Sequence, residues 1–113
     1  MQHATLSSEN QILNGLRSID CSQKHFANIA ATMGIPVSDS LISLCTSGKR
    51  EFTKWTAEQL VGLLNELLAL RSYYAHVPIN WSDYERVSTL ILMRRVQEAA
   101  EFVDREAAAK AAQ

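Results

Sequence analysis

The residues best equipped for chemistry lie in one stretch, positions 38–50, SDSLISLCTSGKR. Ser38, Asp39, Ser40, Ser43, Thr46 and Ser47 set short hydrogen-bonding groups close together, and Lys49 and Arg50 follow as adjacent cations. Hydroxyls donate to or accept from many partners, and paired cations suit phosphate or carboxylate, so this is the chemistry of recognition. Bond-making asks for more: an activated nucleophile or a poised acid and base. The three histidines, His3, His25 and His76, have no carboxylate at useful spacing. Cys21 and His25 have C-x-x-x-H spacing but lack two further ligands for zinc. There is no P-loop and no G-x-S-x-G. The expectation is a protein that is not an enzyme, with no catalytic residues, no metal and no cofactor.

The elements that must position these residues are helices. Apolar residues recur at helical rather than alternating spacing, and capping residues precede each run. Ser8 with Gln11 reads as a capping box opening a first helix with Ile12, Leu13, Leu16 and Ile19 inward. Ser22 caps a second, carrying Phe26, Ile29, Ala30 and Met33 on one face and stopped by Gly34 and Pro36. Ser38 caps a third and shortest helix, with Leu41, Ile42 and Cys45 inward and Gly48 as its stop. Thr56 with Gln59 reads as a second box, flanked by Trp55 and Leu60 as an apolar staple, and opens a leucine-rich fourth helix ending near Tyr74. Pro78 breaks the chain, and Ser82 with Glu85 opens a fifth helix reaching Ala111, roughly 45 Å long at 1.5 Å per residue. Tyr73, Tyr74, Trp81 and Tyr84 are expected to plug the junction around that break.

Helices two and three resemble the helix-turn-helix of the lambda-repressor-like family, the Cro/CI or Xre type of phage and bacterial regulators. The resemblance rests on Phe26-Ala27-Asn28-Ile29-Ala30-Ala31-Thr32-Met33-Gly34-Ile35, then on Ile42-Ser43 and Ser47-Gly48-Lys49-Arg50. It covers about residues 8–72. The stretch from Gly34 to Ile42 is two residues longer than the family pattern, and Leu44 stands where Arg is common. In total length and layout the chain is similar to phage CII-like regulators. The resemblance implies double-stranded DNA as partner, with helix three entering a major groove about 12 Å wide. Asp39, Ser40, Ser43, Leu44, Thr46 and Ser47 then face the bases, with Ser38 at the helix start. Lys24, His25, Lys49, Arg50 and Lys54 flank the groove and meet phosphates.

Composition is consistent with a soluble, cytoplasmic chain. It has 113 residues, 47% apolar, and a net charge of −1, enough for one modest core without a strong basic bias. The longest apolar run, 90–93, is far too short to span a membrane. In the fifth helix Leu92, Val96, Ala99 and Val103 recur at steps of four and three, a heptad-like seam ending at Glu106. That seam marks an oligomerisation helix for a homo-oligomer, dimer or tetramer, with Arg–Glu pairs across it; the competing expectation is a solvated face with Glu101–Arg105 and Glu106–Lys110 as pairs along the helix.

The expected architecture is therefore all-α: a lambda-repressor-like helix-turn-helix bundle over 1–75, a linker over 76–81, and a long C-terminal oligomerisation helix over 82–113. The expected function is a small phage or prophage transcriptional regulator binding operator DNA as an oligomer. The competing expectation is a helical protein-interaction module, toxin/antitoxin-like or a phage adaptor, with a degenerate helix-turn-helix. Leu44 separates them, since in such a module it joins Leu41 in an apolar patch.

Overall fold

The structure, a computed structural model, describes residues 7–112; His3, with the rest of 1–6, and position 113 lie outside the described residues. All regular structure among them is helical: α1 (Ser8–Ser18), α2 (Gln23–Thr32), α3 (Asp39–Thr46), α4 (Lys54–Tyr73) and α5 (Tyr84–Ala111). α1 packs on α3 and α4, and α2 packs on α3 and α5. The leading half of α5 also lies against α4.

Each of the first three helices ends in the same way. The residue after the cap turns left-handed, at Asp20 (φ 56°), Gly34 (φ 85°) and Gly48 (φ 81°). Its N–H and the next one then reach back to two carbonyls left open by the last turn. After α2 these bonds run from Gly34 to Ala31 (3.0 Å) and from Ile35 to Ala30 (2.9 Å). After α3 they run from Gly48 to Cys45 (3.2 Å) and from Lys49 to Leu44 (3.0 Å). Glycine takes this conformation freely, whereas Asp20 does so against its Cβ.

The N-terminal caps differ from expectation at three helices. Ser22 and Ser38 cap α2 and α3 as read, but α1 is capped by Ser7, whose hydroxyl accepts from Asn10 N–H at 3.2 Å. α4 starts a turn earlier than its box, with Thr53 accepting from Thr56 N–H. Phe52, half-buried against the core, fills the anchoring position just before that cap. Trp55 is therefore inside the helix and 55% exposed, not a core staple. At α5 the side chain of Asn80 accepts from both the N–H (3.1 Å) and the hydroxyl (2.6 Å) of Ser82. This occupies Ser82, and Asp83 becomes the cap.

One core runs through the bundle. Ile12, Leu16, Phe26, Ile29, Ile42, Leu60 and Leu67 are fully buried, and Trp81, Val87 and Ile91 join the same cluster. Gly15 lets α1 and α4 close up, since a Cβ there would stand 2.7 Å from both Leu64 methyls. Trp81 locks the connection before α5: its indole N–H donates to the Ile19 carbonyl at 3.0 Å, at the open end of α1. Tyr84 follows, its hydroxyl accepting from the Asn28 amide at 3.1 Å. Arg71 donates to the carbonyls of Tyr74 (3.3 Å) and Val77 (2.9 Å), fixing the loop after α4. The junction is thus held mainly by Trp81, Tyr84 and Arg71, while Tyr73 is 66% exposed and lies outside the plug.

α5 has 28 residues, about 42 Å, and only its first half is covered. Val87, Ser88 and Ile91 are buried, but every residue over 95–112 is exposed. The radius of gyration, 16.4 Å, exceeds the roughly 13 Å of a compact chain this long because that half projects. Arg95 is the last tie to the bundle, with Nε and a terminal nitrogen each 2.6 Å from the Glu66 carboxylate. Among the described residues the other ion pair is Arg94–Glu98 at 3.3 Å, rather than the 101–105 and 106–110 pairs expected further on.

Two substitutions test this account through the midpoint of urea unfolding. Asp20→Gly relieves the left-handed strain and is expected to raise stability by about 0.5–1 kcal/mol. Ser88 is buried with no partner for its hydroxyl, so Ser88→Ala is expected to raise stability by about 1 kcal/mol. A loss in either case contradicts the assignment.

Candidate nucleic-acid interface

α3 is eight residues long and presents two unlike faces. Ile42 and Cys45 are buried and Leu41 is half-buried, so the helix is pinned along one side by α1 and α2. Asp39, Ser40, Ser43, Leu44 and Ser47 are exposed on the other. Their hydrogen-bonding capacity is not equal. The Ser38 hydroxyl accepts from Leu41 N–H at 3.1 Å and serves the helix start. The Thr46 hydroxyl donates to the Ile42 carbonyl at 2.8 Å, and Ser47 donates to the Leu44 carbonyl at 3.1 Å. Asp39, Ser40 and Ser43 therefore carry the outward polar chemistry of this helix, with Leu44 as its apolar contact.

The cations divide into two groups. Lys49 and Arg50 are exposed, and both of their backbone N–H groups return to the Leu44 carbonyl, at 3.0 and 3.2 Å. They are thereby fixed at the end of α3. Lys54 is the exposed first residue of α4, after a short loop in which Phe52 N–H reaches the Glu9 carboxylate at 3.4 Å. Lys24 is exposed in the first turn of α2, at the end of that helix away from the turn into α3. His25 beside it is half-buried, its ring tilted against Tyr84 with centroids 6.1 Å apart. The structure thus sets Lys49 and Arg50 at the end of α3 and holds His25 against the start of α5.

Trp55 is the large exposed side chain that sequence reasoning misplaced, and nothing in its local spacing distinguishes staple from surface. A second apolar surface lies away from α3, in an open groove of about 650 Å³ between α4 and α5 lined by Leu70, Tyr73, Tyr74, Leu90, Met93 and Val96. The Arg94 guanidinium stands 5.9 Å from the Tyr73 ring centre at its edge.

Neither cysteine is arranged for chemistry. Both are buried and free. Burial, helped by neighbouring Asp20, pushes the Cys21 thiol up to about 12 from its ordinary 9.0. Burial also raises Cys45, with Glu9 adding to the effect and Arg50 opposing it. A thiol held protonated is a poor nucleophile and metal ligand at neutral pH. Among the described residues no three of His, Cys, Asp and Glu come together to hold a metal ion, and no helix is long and apolar enough to cross a membrane. Comparison with protein-family models, characterised proteins and solved structures gave no match.

The Cys21 shift gives a pH dependence of definite sign. The unfolded thiol ionises near 9 and the folded one near 12, so its contribution to stability is complete below pH 9 and is lost as pH rises toward 12. Stability should fall by up to about 1.4 kcal/mol per pH unit in that window on account of this thiol. Denaturation midpoints of the wild type and Cys21→Ala, compared from pH 7 to about 11, should converge as the pH rises. A constant difference shows that Cys21 ionises alike in both states.

Proposed function

We propose that this chain is a small transcriptional regulator of phage or prophage type, binding operator DNA through α2 and α3 used as a helix-turn-helix. The observation that carries the reading is the outer face of α3, exposed and short-chained, with Lys49 and Arg50 fixed at its end. Short side chains allow a helix backbone to approach the floor of a major groove, and cations at its rim meet the phosphates. Ser40 and Ser43 read base edges, Asp39 accepts from a cytosine amino group, and Leu44 touches a thymine methyl. Lys54 and Lys24 extend the phosphate contacts, while Ser38, Thr46 and Ser47 shape the helix. In this reading the resemblance to lambda-repressor-like regulators extends to the fold, the bundle forms the DNA-binding unit, and α5 joins copies through Leu92, Val96, Ala99 and Val103. The protein works in the cytoplasm by docking, without catalysis.

A second reading is favoured by Leu44, 38% exposed, and by the exposed Trp55: a helical module whose α3 meets another protein. The two separate in one experiment, selection of bound sequences from random double-stranded DNA. Enrichment of a common site supports the regulator, and its absence favours the protein-binding module. On the selected site, Lys49→Ala with Arg50→Ala should weaken binding by roughly tenfold or more. It should lower the slope of log affinity against log salt by about 2. Ser43→Ala should alter base preference while keeping the salt slope. Unchanged affinity in the double variant removes the phosphate contacts from the proposal.

A further inference from the structure

The outward side of α5 forms a continuous exposed face from position 85 to position 110, at alternating steps of four and three. Leu92, Val96 and Val103 on it are 50, 70 and 62% exposed. Val87 and Ile91, which enter the core, lie on the other side of the helix, so the bundle leaves this face open. Burial of Leu92, Val96 and Val103 against a partner would remove apolar surface that the bundle leaves in water.

The order of residues on this face says what covers it. Laid antiparallel to a second copy, with the two-fold axis beside Gln97 and Glu98, Val96 meets the partner's Ala99 and Leu92 meets the partner's Val103. Further out, Thr89 meets the partner's Glu106, the Thr89 hydroxyl donating to the Glu85 carbonyl of its own helix at 2.9 Å. At the ends Glu85 meets the partner's Lys110, a carboxylate opposite an ammonium. Symmetry repeats each layer, giving an apolar centre closed at each end by an oppositely charged pair. A parallel pair in register instead sets Glu85, Glu106 and Lys110 each against its own copy, three layers of like charge. Sliding the antiparallel pair by one heptad, in either sense, sets Glu106 or Glu85 against a valine and desolvates a carboxylate without a partner. Helix dipoles also favour the antiparallel sense.

We infer that α5 binds a second copy of this chain as an antiparallel two-helix seam in this register. The inference rests on the reading of α5 as an oligomerisation helix and adds its direction and alignment. The pairing sends the two bundles toward opposite ends of the seam.

The test uses full-length Leu92→Cys and Val103→Cys variants, purified separately, mixed and mildly oxidised. The wild type serves as control, its two buried thiols being withheld from cross-linking. The expected product is the mixed disulfide between the two variants, in excess over either homodisulfide. A Leu92→Cys homodisulfide as the main product overturns the proposal, as does a monomeric wild type in sedimentation equilibrium. Val96→Asp should weaken self-association by about tenfold or more while preserving the thermal transition of the bundle. Self-association unchanged in that variant also overturns it. DNA binding is measured on the same samples. A monomer that binds a selected site sinks the seam and leaves the DNA reading, whereas a cross-linked pair that selects no DNA keeps the seam and sinks the DNA reading.

Discussion

The chain's left-handed turn after each of its first three helices is the constraint on which the rest depends. Asp20, Gly34 and Gly48 each reverse the chain within two residues while satisfying carbonyls that a helix end otherwise leaves open. The reversal at Gly34 delivers Ile35 into the core beside Ala30 and starts the short connection to Ser38. α3 can then lie with Ile42 and Cys45 buried, and its opposite face is left outward by helical geometry alone. The reversal at Gly48 sets Lys49 and Arg50 against the end of that face. A short helix of low intrinsic stability is thus held by its ends and by two buried side chains.

The other organising fact is the division of α5. Its first turns belong to the bundle, since Val87 and Ile91 share the core with Phe26 and Leu67 and Trp81 bonds to the end of α1. Its second half is exposed and packs on no other element among the described residues. The bidentate Arg95–Glu66 contact marks the transition between them. Partly exposed, such a pair contributes little to global stability, but its two-point geometry fixes the direction in which the free half leaves. In the proposed function, a rigid departure would set a defined spacing between the two bundles, and flexible attachment would not.

The surface chemistry separates contact from discrimination. Along α3 most hydroxyls are committed to the protein: Ser38 to the cap, Thr46 and Ser47 to backbone carbonyls. This leaves Asp39, Ser40, Ser43 and Leu44 for a partner, none of which makes the bidentate contacts that arginine or glutamine makes with a base. In the proposed function, docking then draws mainly on phosphate contacts and shape, with a modest contribution from base edges.

By itself the sequence determined the number and kind of the elements. Five runs of helical periodicity, with Gly34, Gly48 and Pro78 as breaks, place the helices closely, and α5 stays helical to Ala111 through an alanine-rich tail whose lack of sidedness suggests fraying. Those signals are local, set by backbone stereochemistry and side-chain spacing within one turn. The same locality is why Ser22 and Ser38 could be read as caps. Thr53 and Asp83 could not, because a contact outside the capping pattern chose each over a near neighbour. Phe52 packing on the core moved the start of α4, and Asn80 engaged Ser82. Packing between helices sets Trp55 toward solvent, closes α1 with Trp81 and rests His25 on Tyr84. An aromatic side chain has the same local preferences whether buried or exposed, and its role is fixed by whichever distant group comes within reach when the helices pack.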